Sequence, residues 1–242
     1  SDDLLDSPQA EKVYNPLVII GGGVIGVELA SIYSDLGCAV TVIEALPRIL
    51  PAMDREISQN LSMILKKRGV KIHTAAMVSR ITEENGLLQV EFTEKEKLQT
   101  AAGDAVLVAI GRRPQTEGLF ASGLNPRTEK GFLVVDEVYQ TDIPGVYAAG
   151  DVIGGIQLAH AASAEALRAV EIIAGKESSR DKLLIPGCVY TDPEIATVGL
   201  TEEEAKAAGY AVKIGKCIMS ANGKSLLENL DRGFIKLVFA AD

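Results

Sequence analysis

The sequence predicts an α/β chain, and three observations carry the prediction. A short β-branched run, Leu17-Val18-Ile19-Ile20, leads directly into a glycine-rich turn. The turn opens a segment whose apolar residues recur at helical spacing. A second strand-like run then ends in an acid, Glu44. Strand, glycine turn, helix and strand in this order are the start of a parallel sheet with a helical crossover.

Taken in order, Leu17 to Ile20 has the composition of a strand buried on both faces. In Gly21-Gly22-Gly23-Val24-Ile25-Gly26, the first glycine permits the tight turn and Gly23 lets backbone approach a pyrophosphate. Gly26 lets the helix pack closely on the strand, and the helix start presents free N–H groups to phosphate. The expected unit is therefore Rossmann-like. Its helix shows a stripe at Ile25, Leu29, Ile32 and Leu36, with Gly37 as the stop. A strand over Ala39 to Ile43 follows, and Glu44 comes eighteen residues after Gly26, near the ~20 expected of an acid that binds adenosine ribose hydroxyls. Its charge opposes a 2′-phosphate, which favours NAD over NADP, although Arg48 lies nearby. Glu28 has two readings: an acid is favoured in a first helical turn whatever the function, and it also stands where a ligand would pass.

Asp54 to Arg68 reads as a helix with apolar Ile57, Leu61, Ile64 and Leu65, stopping at Gly69. Val70 to Ile72 continues as a strand, and Met77 to Ile81 and Leu87 to Phe92, split by Asn85-Gly86, form a hairpin in place of a crossover helix. Asp104 to Ile110 is another buried strand. Ala109 to Pro114 then leaves this domain through Gly111 and a proline, and by itself it also fits a plain surface turn.

Beyond it, Thr141 to Asp151 combines a turn, a short strand and a Gly-Asp pair, which sets Asp151 at a strand's C-terminal end, where open α/β sheets bind ligands. Leu158 to Ala174 is a long alanine-rich helix ended by Gly175, readable either as a support for a reduced flavin or as a core helix. His160 near its start reads as a local hydrogen-bonding residue rather than a catalyst. From Leu183 the tail changes character. A turn at Tyr190 to Pro193 precedes a capping box, Thr201 to Glu204, that opens a helix to Ala208. Val212 to Ile214, Lys216 to Met219 and Phe234 to Phe239 alternate like antiparallel strands.

Composition excludes several function classes. The chain has 242 residues, 47% hydrophobic and 24% charged, near the soluble globular average and enough for one or two domains. Its 24 Lys and Arg against 33 Asp and Glu give a net charge of -9, with no basic stretch to follow a phosphate backbone, so no nucleic-acid partner is expected. No apolar run approaches the ~18 residues of a membrane-spanning helix, and Ser1 to Asn15 lacks the basic start and apolar middle of a targeting peptide. Cys38, Cys188 and Cys217 form no CxxC or metal spacing and suit thiols in a reducing, cytoplasmic compartment. With two histidines, His73 and His160, no metal site is expected.

Gly21 to Glu28, Ala109 to Pro114, Thr141 to Asp151 and Leu158-Ala159-His160 together resemble the pyridine nucleotide disulfide oxidoreductases along the whole chain. Within that family, Ile185 through Tyr190-Thr191-Asp192-Pro193-Glu194 to Lys206, and then Ala221-Asn222-Gly223, resemble the dihydrolipoyl dehydrogenase branch. Its rivals are an NADH oxidase, a coenzyme A disulfide reductase, a mercuric reductase, or a non-catalytic NAD-binding module. The resemblance implies an NAD site lined by Gly21, Gly22, Gly23, Val24, Ile25, Gly26, Val27 and Glu28, with Glu44, Val78 and Gly111, and with Glu28 near the nicotinamide. It implies FAD contacts from Asp151, Gln157, Leu158, Ala159 and His160. It also implies a homodimer through the tail and a place in a 2-oxo acid dehydrogenase complex. The expected division is an NAD-binding domain over 1–112, the C-terminal segment of a FAD-binding domain over 113–182, and part of an α+β dimerisation domain over 183–242. The family's second glycine fingerprint, its cysteine pair separated by four residues and its C-terminal His-Glu pair are not found in this sequence. The chain is therefore expected to be an internal piece of such an enzyme, to hold no catalytic residue and to be inactive alone.

Overall fold

The computed structural model describes residues 4–5, 12–176 and 184–241, so the expected boundary at 182/183 lies outside the described residues. The first strand, β1 (Leu17–Ile20), pairs in parallel with β2 (Val40–Ile43) and with β7 (Ala105–Val108), and β2 pairs in parallel with β3 (Lys71–His73). The sheet order is β3-β2-β1-β7. Helix α1 (Val24–Asp35) and helix α2 (Arg55–Lys67) are the crossovers that make a parallel sheet possible.

Period-two alternation along β1 divides the packing between two faces. Leu17 and Ile19 belong to the cluster with Val27, Ala30, Tyr33, Leu61 and Leu65 of the helices. Val18 packs the other way, with Ile43, Val90 and Phe92. Burying a side chain of this size contributes about 1.5–3 kcal/mol. The second face is covered by an antiparallel meander, β4 (Ala76–Glu84), β5 (Leu87–Glu94) and β6 (Lys97–Gly103).

The sequence reading found two of those three strands. The β4–β5 turn carries Asn85 and Gly86, both at positive φ, as a hairpin of this twist requires. The β5–β6 turn does the same with Lys95 (φ 50°) and Glu96 (φ 63°), which carry no turn signal. That is why β6 was not expected.

The expected stripe of α1 holds at Leu29, which is buried, and at Ile25, which packs against the core, and fails at its other two members. Ile32 and Leu36 are 49% and 59% exposed, whereas Val27, Ala30 and Tyr33 are buried. The close approach of Gly26 to β1 rotates the helix, because a Cβ there would stand 2.0 Å from the carbonyl oxygen of Gly21. The backbone approach at Gly26 sets the buried face, which takes Val27, Leu29, Ala30 and Tyr33. Helix α2 follows its pattern: Asp54 caps it through the N–H of Glu56, and Gly69 at φ +93° follows its end.

By spatial contact the chain divides into two compact units, Ser1–Gly111 with Cys188–Ala196 and Leu200–Asp242, and Arg112–Gly187 with Thr197–Gly199. The second unit holds the two-residue strands β8 (Thr128–Glu129) and β9 (Phe132–Leu133), a 3-10 turn at Gly150–Ile153, and helix α3 (Ala159–Ile173). The strand expected before Asp151 is reduced to one bridge, Gln140 to Tyr147. Its backbone groups are spent on the local turn instead, Thr141 N–H on Val146 O and Ala148 N–H on Tyr139 O. Asp151 thus lies in a 3-10 turn rather than ending a strand.

The tail adds the strand pair β10 (Gly187–Val189) and β11 (Ile195–Thr197), with Val189 fully buried in the core of the first unit. Helix α4 (Glu202–Ala207) has the expected reciprocal capping box between Thr201 and Glu204. β12 (Val212–Ile218) runs unbroken through Gly215, where two strands were expected, and pairs with β13 (Phe234–Ala240). A Cβ at Gly215 would meet the Phe239 ring at 3.3 Å, so the glycine makes room across the pair instead of breaking the strand. Between them lies a one-turn helix, α5 (Gly223–Leu227), capped by Asn222 through the N–H of Ser225. Lys236 on β13, within the same unit, pairs with Asp54 at 2.9 Å, Glu56 at 2.9 Å and Glu202 at 2.8 Å.

Candidate dinucleotide site

The glycine turn sits at the C-terminal ends of parallel strands. Gly21 N–H bonds Ile43 O at 2.8 Å and Leu50 N–H bonds Gly22 O at 2.8 Å, tying the turn to β2 and to the segment beyond it. Gly21, at φ +109°, faces the backbone of Ala109, whose oxygen would lie 2.4 Å from an added Cβ. Gly22 would meet Ile49 at 2.9 Å, and Gly26 meets Gly21. Gly23 differs from all three, because a Cβ there meets nothing within 4 Å. Packing demands three of the glycines, and the fourth leaves open space beside the start of α1. Gly23 is the N-cap of α1 and no side chain caps the helix, so its leading N–H groups remain available to an anion.

Glu44 closes the other side. It is 7% exposed, accepts from Gly22 N–H at 2.5 Å through Oε2, and accepts from Leu46 N–H at 2.7 Å through Oε1. Its own backbone is fixed by His73 O at 2.9 Å and by Ala76 N–H at 2.9 Å. Each carboxylate oxygen keeps a further lone pair for a hydroxyl donor. Arg48 does not compensate this charge: its Nη2 donates to Pro51 O, Met53 O and Glu203.

Val24 is 39% exposed, Ile25 is half-buried and Val27 is fully buried in the core. Glu28 lies half-buried one turn beyond Val24, and its Oε1 accepts from Tyr190 N–H at 2.8 Å. No local pattern announces that contact, which joins residues 162 apart. Val78 on β4 opposes Phe92, and a register shift between Val78 and Arg80 bends the strand there. Gly111 follows β7 at φ +127°, a conformation that favours glycine. Below β3, His73 and Glu94 pair at 2.8 Å, and the imidazole holds the Glu94 carboxyl below its ordinary range.

The second unit collects the remaining expected residues. Asp151 is half-exposed, 4.0 Å from Arg112 Nε. Gly150 N–H is held by Glu165 at 2.8 Å, a partner the sequence did not single out. Leu158 is the N-cap of α3, again without a side-chain cap. His160 Nε2 donates to Pro186 O at 2.8 Å, which fixes the ring proton on Nε2 because a carbonyl only accepts. This is the local bonding role expected of it. A cleft of about 500 Å³ lies against Glu129, Lys130, Phe132, Ile153 and Gln157, so Gln157 alone of the expected residues lines it. Among the described residues no group of His, Cys, Asp and Glu can hold a metal ion, and no helix is long and apolar enough to cross a membrane.

Comparison with known proteins gives the family and the fold. Residues 2–166 match the model of the pyridine nucleotide-disulphide oxidoreductases, and residues 185–242 match the dimerisation domain of the same family. A dihydrolipoyl dehydrogenase of Bacillus subtilis (strain 168) is 43% identical over 245 residues, covering 100% of this chain and 51% of that protein. One from Thermus scotoductus (strain ATCC 700910 / SA-01) is 43% identical over 248 residues, 100% of this chain and 54% of the relative. Among solved structures, the HOCl-induced flavoprotein disulfide reductase RclA from Escherichia coli superposes with a TM-score of 0.85 at 32% identity, over 95% of this chain and 53% of that one. The chain spans about half the length of the curated relatives it matches.

Proposed function

We infer the function from one premise: the chain belongs to the pyridine nucleotide-disulphide oxidoreductase family. The reading is a FAD-dependent dihydrolipoyl dehydrogenase, a cytoplasmic homodimer that oxidises dihydrolipoyl groups to the disulfide and passes the electron pair through FAD to NAD. Its place would be in a 2-oxo acid dehydrogenase complex. Relatives of that name at about 40% identity along the whole chain support it.

The chain's own part is nucleotide binding. The open side of Gly23 and the uncapped start of α1 receive a pyrophosphate, two buried faces of the turn hold it rigid, and Glu44 accepts from the ribose hydroxyls. Glu28 would face the nicotinamide half, with Val78 and Gly111 along the path. FAD, when bound, relays an electron pair between a dithiol and the nicotinamide. Asp151, Gln157, Leu158, Ala159 and His160 would hold it in this chain, with α3 turning its uncapped N-terminus to the ring. Dithiol exchange has no counterpart among these residues, because the three cysteines are too far apart in sequence to form the family's pair.

The observation that carries the reading is Glu44, buried at the end of β2 with its carboxylate on the glycine turn and no cation paired with it among the described residues. Titration calorimetry with NADH and NADPH in parallel tests it. NADH is expected to bind and NADPH to bind at least about tenfold more weakly, a difference of ~1.4 kcal/mol from setting a phosphate beside a carboxylate. Equal affinities, or no binding of either, would overturn it.

A further inference from the structure

Four contacts fasten the segment 188–193 to α1 and α2, all within the first unit. Val189 is fully buried in the core cluster. Tyr190 N–H donates to Glu28 Oε1 at 2.8 Å, and Asp192 N–H donates to Ser31 Oγ at 3.2 Å, one turn further along the same helix. The Asp192 carboxylate pairs with Arg68, which also holds Asp35 at 3.1 Å. Thr191, 5% exposed, closes the turn by donating to Pro193 O at 2.8 Å.

The consequence falls on Glu28. A glutamate on a helix surface has three rotatable bonds, and holding one oxygen in place removes most of that freedom. Oε1 is committed to Tyr190, while Oε2 has no partner among the described residues. Glu28 lies four residues after Val24, so the two share a face that is not the buried face of Gly26 and Ala30. Since Glu44 holds the adenosine side of the glycine turn, the other half of a dinucleotide leaves over the Val24 and Glu28 side.

We propose that the 190–193 turn is a positioning element for the nicotinamide half of the nucleotide, acting through Glu28 by fixing one carboxylate oxygen and leaving the second to accept from the carboxamide. This rests on the reading of residues 21–44 as an NAD site. The turn comes from the far end of the sequence, so affinity for the reactive half of NAD depends on a segment outside the Rossmann unit, whereas affinity for the adenosine half does not.

The test compares NADH with ADP-ribose, which lacks nicotinamide, on this chain by calorimetry. Ser31→Ala/Asp192→Ala releases two anchors of the turn. It is expected to raise the Kd for NADH about fivefold and that for ADP-ribose less than about twofold, as for loss of one oriented hydrogen bond. Asp192→Asn keeps an acceptor for Arg68 and is expected to restore the NADH value. Tyr190→Pro removes the donor itself and gives the same split if the double variant fails to fold. Equal losses for both ligands would reduce the turn to scaffolding, and no loss for either would refute the positioning role. A wild-type chain that binds neither ligand sinks the NAD site, and the proposal with it, by a result that none of the variants can produce.

Discussion

Residues 17–111 and residues 112–187 both carry nucleotide-type motifs, but they are enclosed very differently. In the first, Val18, Ile19, Val27, Ala30 and Val42 are fully buried, and three of four turn glycines are enforced by the chain's own atoms. In the second, Leu133, Ala161 and Ala169 are the buried apolar residues among those described, while Leu167, Val170 and Ile173 along α3 are 67%, 61% and 57% exposed. A motif backed by its own core has a rigid geometry that single substitutions can interrogate. A motif on an uncovered helix has its local bonds but no walls. The chemistry testable on this chain therefore sits in the first region.

The sharpest way to break the comparison is within the glycine turn. Gly26→Ala puts a Cβ 2.0 Å from Gly21 O, a backbone atom that cannot step aside. It is expected to cost about 3 kcal/mol or more in urea denaturation. Gly23→Ala meets nothing within 4 Å and keeps an ordinary φ of -72°, so its cost is expected below about 1 kcal/mol. Yet Gly23→Ala is expected to weaken NADH about tenfold or more, because the methyl takes the space of the pyrophosphate. If Gly23→Ala binds NADH normally, the open side of the turn is not the phosphate cradle.

Glu44 comes next, since it serves both structure and binding. Glu44→Ala leaves the N–H groups of Gly22 and Leu46 without acceptors in a site 7% exposed, an expected loss of about 2–3 kcal/mol. The ratio of NADH to NADPH affinity is expected to contract toward one in the same variant. Loss of stability with an unchanged ratio would make Glu44 a brace for the turn and nothing more.

A smaller effect concerns the hub around Lys236, whose side chain is 9% exposed. Burial lowers the affinity of that amine for its proton, but the hydrogen bonds it donates to Glu202, Asp54 and Glu56 outweigh this and lift Lys236 above its ordinary range. In return Glu202, bonded to Lys206 and Lys236, is pulled down to about 2, and Glu56, bonded to Lys216 and Lys236, is lowered too. Carboxylates depressed in the folded state stabilise it above their unfolded value, about 4.3, and this is lost as pH falls toward about 2. The urea midpoint is expected to decline through that window. Lys236→Met should cost about 1–2 kcal/mol at neutral pH and flatten the decline. An unchanged acid profile in Lys236→Met would show that other carboxylates govern it.

The same contrast explains what the sequence could disclose. The glycine turn, Glu44 at the end of its strand, the Thr201 to Glu204 cap and the Asn85-Gly86 turn are local devices whose residues state their own geometry. Strand β6 escaped because Lys95 and Glu96 adopt left-handed conformations without glycine or asparagine to announce them. Of the buried face of α1, Leu29 was legible as part of an apolar stripe, whereas Val27, Ala30 and Tyr33 follow from the close backbone approach at Gly26. Glu28 meets Tyr190 across 162 residues, and no local pattern encodes such a contact. The run before Asp151 has strand composition, but a strand needs a neighbour, and the described residues supply a single bridge.

The smallest expected effect belongs to the second region and checks the comparison from the other side. Asp151 and Arg112 are each about half-exposed and 4.0 Å apart, a geometry worth about 0–0.5 kcal/mol in water. Asp151→Ala should therefore leave the urea midpoint nearly unchanged. His160→Ala removes one bond to Pro186 O at an exposed position, so its cost is expected under about 1 kcal/mol. Both residues belong to the second unit, and the Kd for NADH should stay within about twofold in both variants, against the tenfold change expected of Gly23→Ala. A fivefold or larger loss of NADH affinity in Asp151→Ala would mean that the exposed region contributes to the nucleotide site, and that enclosure by its own core is the wrong measure of which half of this chain binds it.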